Sequence, residues 1–543
     1  MSSSAEKPLK LRILTIILPI IYFLAFGLIG FSDTDQGFIQ ALSWRVINGE
    51  VPYLDFIYVR PPLSIYMHAI PMLIFPEPLV IPAERFLFYL FIALTVFWTT
   101  RTLQAYFDFH KIGVSVELFY ALAFIFCVHN FPPMPWHTVD GLLWASFGAN
   151  RIARGKTTFH HSLGLIALFM AGMCKQAFYP LIIMGPALLW ILHGRRAFFR
   201  GLLGGYLPLL AVVSLILINM PEWGKLFVAQ TTASSNLNDL IDTGLIKYIK
   251  PFFFVSLPLV FAWRFHILYD WKYLPVSIFG CVFFGLLGLH VFKAMQTSTY
   301  IGPSFGFSQG FFLLAIGMAL KDFWLNNKAS SVQIFLLLIS WCTGISWGYA
   351  NNMLFFAPIL FGFIFILYHE LGLIVPRYFF GTICILVVWI FATLYQYPYR
   401  DSPRSQINQS PGEYFPAFTY IKTGDEFIEK TREFHEIHQS FQGAFTILPA
   451  FPLASFITHT NNPLSVDWAH NAEAIYHQNQ ELLQKELNQQ ANFVLIQKDK
   501  IKEANDPQPY GSLITGYIID NWEKAWEGTY FVVYRKKQKT DEP

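Results

Sequence analysis

The feature that most constrains this chain is a succession of long apolar runs. The first, RILTIILPIIYFLAFGLIGF over residues 12–31, has the roughly 20 mostly apolar residues that a helix needs to cross a bilayer. Further runs lie near 85–104, 112–131, 138–153, 159–174, 177–193, 200–219, 251–269, 273–292, 307–320, 331–349, 352–369 and 378–397. Together they predict about 13 spanning helices. Backbone groups in hydrocarbon must be satisfied within their own segment, so runs of this length fold as helices. The expected fold class is therefore an all-α polytopic membrane protein. Charged residues make up 13% of the chain, against roughly 25% in soluble proteins, which excludes a disordered chain and an ordinary soluble enzyme. A net charge of +3 gives no polybasic surface, so no nucleic-acid partner is implied. Cys127, Cys174, Cys281, Cys342 and Cys384 all lie in apolar runs with no CxxC pair, which argues against a disulfide framework or a zinc site.

Orientation follows from charge. Lys7, Lys10 and Arg12 precede the first run, placing the N-terminus in the cytoplasm, and no small-residue cleavage site follows to mark a signal peptide. Residues 62–76, PLSIYMHAIPMLIFP, are apolar but short and bounded by prolines. If this segment does not cross, the cytoplasmic side collects roughly 16 Lys and Arg and the outer loops roughly 8; if it crosses, the bias reverses. The clusters Arg151–Arg154–Lys156 and Arg195–Arg196–Arg200 carry most of that difference, so 62–76 is read as re-entrant or interfacial. Residues 1–397 then form the transmembrane domain. Residues 398–543 form a small extracytoplasmic α/β domain, with strands expected at Phe445–Leu448, Phe493–Ile496 and Tyr530–Tyr534 and a polar helix over 471–491.

The polar residues gather in outer loops. The loop 32–61 carries Asp33, Asp35, Gln36, Arg45, Asn48, Glu50, Asp55 and Arg60, and residues 36–48 have the spacing of an amphipathic helix lying on the outer leaflet. A second loop, HNFPPMPWHTVD, holds His137 and ends on Asp140. Helix capping accounts for either Asp35 or Asp140 alone; as a pair on two outer loops they suit general-base work or coordination of a cation. Lys175 stands between two apolar runs with almost no loop. It either snorkels to the interface or, with Arg60, offers a fixed cation to a lipid phosphate.

The run TDQGFIQALSWRVINGEVPYLDFIYVRPPL resembles the first outer loop of polyprenol-phosphate-sugar-dependent membrane glycosyltransferases of the GT-C fold, the protein O-mannosyltransferase and aminoarabinose transferase group. The shared pattern is Asp35-Gln36-Gly37, Gly49, Pro52-Tyr53, Asp55-Phe56 and Pro61-Pro62 in order, with Asp140 and Lys175–Gln176 in the later loops. The likeness extends in architecture over about residues 10–400, and its specific motifs are confined to 33–62 and 129–176. The family often has Glu after the catalytic Asp. Here that residue is Gln36, which leaves Asp33 as the second acid.

The resemblance implies transfer of one sugar from a polyprenyl-phosphate donor to an acceptor hydroxyl of an envelope lipid, glycan or protein, at the outer face of the cytoplasmic (inner) membrane. It implies Asp35 as base, Asp140 and Asp33 as further catalytic acids, and Arg60 and Lys175 on the donor phosphate. Gln36, Tyr53, Asp55 and His137 are the implied substrate-binding residues. No cofactor is required, and a divalent cation is left open. The alternatives are a polytopic transporter, an O-antigen ligase or polymerase-type envelope enzyme, and a non-catalytic relative. A transporter would carry its polar sites near the bilayer midplane.

Overall fold

The computed structural model describes residues 9–233 (apart from Thr34 and Asn130), 252–253, 256–257, 306–323, 328–345, 354–365, 384, 388, 391–392, 394–398, 400–469, 476–501 and 512–537. The runs expected at 251–269, 273–292 and 378–397 fall largely outside these residues. Helix α1, Leu9–Tyr22, continues through a π-turn at Phe23–Gly27. It is followed by α2 (Phe38–Ile47), α3 (Leu63–Ile74), α4 (Glu77–Gln104), α5 (Val116–Val128), α6 (His137–Arg154), α7 (Thr158–Cys174), α8 (Tyr179–His193), α9 (Arg195–Gly204), α10 (Tyr206–Asn219) and α11 (Pro221–Ala233). Helices at Gly306–Phe323, Lys328–Gly344 and Ala357–Phe365 match three later runs.

Among the described residues, four helical stretches are long and apolar enough to cross a membrane: Leu9–Gly27, Glu77–Gln104, Gln176–His193 and Arg195–Asn219. The chain thus reads as a multi-pass membrane protein. Helix α4 begins eight residues before the expected run, with proline in its first turn, where a missing N–H costs nothing. Helix α3 has 12 residues and rises about 18 Å, short of the ~30 Å hydrocarbon core. Its Tyr66, Ile70, Leu73 and Ile74 are exposed along one side, while Ser64, Ile65 and His68 are buried on the other. One side of α3 is thus apolar and exposed, and the other packs inward.

Beyond residue 400 the chain builds a four-stranded sheet in the order β1-β2-β4-β3, from β1 (Phe445–Leu448), β2 (Phe493–Gln497), β3 (Glu523–Glu527) and β4 (Phe531–Arg535). Strands β1 and β2 are parallel, joined by a crossover that includes the helix Tyr476–Gln490; β4 runs antiparallel to both β2 and β3. Strand β3 was not expected. Its sequence, EKAWE, is polar, as suits an exposed edge. The helix Asp425–Ser440 packs its Phe434 into a core with Phe418, Phe451 and Phe531, and that core also takes in Phe31, Val80 and Ile81 from the membrane half.

This shared core corrects one expectation. Helix α2 does not lie on the leaflet. Both its faces are covered, with α3 on one side and the tail on the other, and Phe38, Ile39, Ala41, Leu42, Ser43 and Arg45 are buried. Ser43 donates to the Ile65 carbonyl at 2.8 Å, and the Trp44 indole donates to the Thr460 carbonyl at 3.1 Å. Arg45 pairs with Asp467 at 2.5 Å and Glu50 at 2.6 Å and donates to the Leu464 carbonyl.

Candidate functional site

The first outer loop is held by backbone and charge together. The Gly30 and Phe31 amides donate to the Lys422 carbonyl at 2.8 Å and to Asp401 at 2.9 Å. Gly37 caps α2 with φ +95°, and a Cβ there would meet Leu453 Cβ of the tail at 2.6 Å; this explains the glycine of the Asp35-Gln36-Gly37 motif. Of the acids flanking it, Asp33 accepts from Lys430 Nζ at 2.5 Å and from Gln497 at 3.0 Å, and Lys430 also reaches Asp499 at 3.1 Å. Asp33 therefore ties the loop to the tail. Asp35 is paired at 2.8 Å with Arg400, whose side chain is 52% exposed against 12% for Asp35. Gln36 accepts from the fully buried Arg85 at 2.6 Å, and Arg85 also donates to the carbonyls of Gly27 and Gly30.

The predicted donor-phosphate residues converge at the N-terminus of α6. Lys175 lies in extended backbone between α7 and the turn Gln176–Phe178, and its Nζ donates to Thr138 Oγ1 at 2.8 Å. The Gln176 amide donates to the Val59 carbonyl at 2.5 Å, which draws the segment carrying Arg60 to the same place. The Arg60 guanidinium lies 5.7 Å from the Phe38 ring. His137, the first residue of α6, is fully buried, and neither ring nitrogen has a hydrogen-bond partner among the described residues. The charges of Arg60 and Lys175 both act on it. Two buried cations and a buried imidazole thus lie close together at the start of α6. A cavity of about 230 Å³ adjoins it, lined by Phe38, Tyr58, Val59 and Trp468.

Tyr53 and Asp55, expected to bind substrate, serve the loop. Tyr53 is buried at φ 72°, packs on Trp223 and Phe227, and donates its hydroxyl to the Arg60 carbonyl at 2.6 Å. Asp55 is exposed and accepts from the Val51 amide at 2.7 Å, which closes the turn.

Asp140 is 1% exposed and pairs with His68 Nε2 at 3.1 Å, while His68 Nδ1 meets Glu84 Oε2 at 2.5 Å. The sequence reading missed His68 and Glu84. The available signal was a histidine and a glutamate within or beside apolar runs, where a titratable group is costly without a partner. A larger cavity, about 560 Å³, opens beside Gln36 and is lined by Tyr22, Phe26, His129, Tyr395 and Arg404. Arg404 lies 3.6 Å over the Tyr395 ring. No group of three His, Cys, Asp or Glu side chains among the described residues is placed to hold a metal ion.

No protein-family model and no curated protein matches the sequence. Among solved structures, the oligosaccharyltransferase of Archaeoglobus fulgidus in complex with Zn and sulfate aligns over 97% of this chain and 73% of its own, at 12% identity and a TM-score of 0.45. ArnT from Cupriavidus metallidurans aligns over 96% and 97%, at 11% identity and a TM-score of 0.45. The A. fulgidus enzyme AglB, in complex with an inhibitory peptide and a dolichol-phosphate, aligns over 99% and 75%, at 13% identity and a TM-score of 0.45. Superpositions at this level carry no conclusion about activity.

Proposed function

We propose that the chain is an integral membrane glycosyltransferase that moves a single sugar from a polyprenyl-phosphate carrier to an acceptor hydroxyl. In this reading it has about 13 spans, a cytoplasmic N-terminus, a transmembrane domain over 1–397 and an extracytoplasmic domain over 398–543. The observation that carries the reading is the convergence of Arg60, Lys175 and the unbonded His137 on one buried spot at the start of α6, beside the acidic first loop. A lipid phosphate is a ligand that two cations and an imidazole suit, and its leaving charge would be stabilised by Arg60 and Lys175.

Asp35 takes the proton of the acceptor hydroxyl once Arg400 yields its Oδ2. The acceptor oxygen then bonds to the anomeric carbon while the bond from that carbon to the phosphate oxygen breaks. The electron pair leaves with the polyprenyl phosphate, held by Arg60 and Lys175, and a single displacement of this kind inverts the anomeric centre. The 560 Å³ cavity beside Gln36 has aromatic platforms for a sugar ring.

The test uses the full chain and its Asp35→Asn variant in nanodiscs, with radiolabelled polyprenyl-phosphate sugars and a membrane extract as acceptor source. Release of polyprenyl phosphate that requires both the extract and Asp35 is the expected result. A folded protein that releases none from any common donor overturns the reading. A second reading, a proton-coupled transporter, draws on the buried Glu84–His68–Asp140 group, because titratable clusters between apolar helices serve proton relays. Proton flux into proteoliposomes, with no transfer, would favour it.

A further inference from the structure

Glu84, His68 and Asp140 come from three separate segments, α4, α3 and α6, and meet in the interior with His68 in the middle. Two contacts between ring nitrogens and carboxylates require two hydrogens, one on each nitrogen or one on a carboxyl group, so the three groups share a net charge of −1 either way. Such a group is costly to bury and strongly directional, which makes it a clamp. Its position gives the clamp a task. Asp140 lies three residues after His137, on the same side of α6, and two after Thr138, the partner of Lys175. One residue on, a Cβ at Gly141 would stand 2.2 Å from the Phe178 ring, so α6 also presses closely on the turn that carries Lys175 and Gln176.

We propose that His68 is a positioning residue for the donor phosphate: held between Glu84 and Asp140, it fixes the rotation of the first turn of α6 so that His137, Arg60 and Lys175 converge on one anion. This rests on the donor reading above. His68 itself does not touch the phosphate and acts only through α6.

The test is a double-mutant cycle on the full chain in nanodiscs, with undecaprenyl monophosphate as the probe. Lys175→Ala and His68→Gln each weaken binding about tenfold or more. Combined, they weaken it less than the product of the two, by about fivefold or more, because the clamp acts through the site that Lys175 occupies. Glu84→Gln, a milder change, gives the same sign of coupling with Lys175→Ala and carries the test if His68→Gln fails to fold. Losses that simply multiply, or wild-type affinity in His68→Gln, overturn the inference and leave the donor reading intact. A wild-type protein that does not bind the probe overturns both.

Discussion

Replacing Arg45 with methionine should loosen the tail from the first loop more than removing the carboxylate it pairs with. The Arg45 and Asp467 side chains are 3% and 1% exposed, so neither reaches water while the two halves are docked. Taking away one member of such a buried pair costs about 3–5 kcal/mol, because the other charge stays buried and uncompensated. Asp467 keeps one donor, Asn462 Nδ2 at 3.0 Å, and Glu50 is 22% exposed and can be hydrated, so the low end of that range applies. The expected cost is about 3 kcal/mol, a factor of roughly 10² in the opening equilibrium. Asp467→Asn leaves Arg45 with Glu50 and the Leu464 carbonyl, and should cost about 1.5–3 kcal/mol. The double variant Arg45→Met/Asp467→Leu should be less destabilised than Arg45→Met alone, because no buried charge is stranded. Hydrogen exchange of the Ile57 amide, which donates to the Ser465 carbonyl across the same seam, reads the opening directly. A double variant that opens as readily as Arg45→Met, or more so, would refute the reasoning.

Arg60→Ala should raise the donor KM about 10- to 100-fold with the acceptor KM unchanged, the loss of one charge-assisted contact; equal rises in both would remove Arg60 from the phosphate. Asp35→Asn should cut turnover by about 10²–10⁴, measured as polyprenyl phosphate release, and wild-type turnover would remove it as base. Gly37→Ala adds a Cβ against Leu453 at a positive φ and should destabilise the docked tail by about 2 kcal/mol, read as faster proteolysis beyond residue 400; unchanged cleavage would contradict the contact. Burial lowers the Lys430 ammonium, and the charges and hydrogen bonds of Asp33 and Asp499 outweigh it, so the net shift is upward. A raised lysine contributes fully below its unfolded value of about 10.4 and loses that contribution only as pH rises through the folded one. Tail protection should thus be the same at pH 7 and pH 9; loss by pH 9 that Lys430→Met abolishes would contradict the pairing.

What the sequence made legible was local in origin. Apolar runs announced α1, α4 and α6–α8, and short apolar stretches announced β1, β2 and β4, because both signals are written in consecutive residues. Arg60, Lys175 and His137 were picked out as polar groups out of place, and the fold brings them together. The burial of α2 was not legible, because the face that looked solvent-directed is covered by residues more than 400 positions away, as in the pair Arg45–Asp467. His68 was passed over for the same reason: a lone histidine in an apolar segment says nothing until Glu84 and Asp140 arrive from other helices. Strand β3 gave no apolar signal, since both its faces are partly wet.

The seam between loop and tail also has a consequence in time. Its hydrogen bonds join residues 370 to 464 positions apart, from Phe31–Asp401 to Asp33–Gln497. At about 5–20 residues per second, the ribosome completes the late partners roughly 20–90 s after the early ones. Throughout that interval Asp33 lacks Lys430 and Gln497, Arg45 has Glu50 but not Asp467, and α2 lacks the cover of the tail. The protein is thus expected to insert first and become competent last, with a window in which the nascent loop is open to proteases and chaperones. In pulse–chase labelling, a cysteine at position 33 (Asp33→Cys) should react with an impermeant thiol reagent until the tail is complete and be shielded afterwards. Shielding from the outset would mean that the loop closes without it.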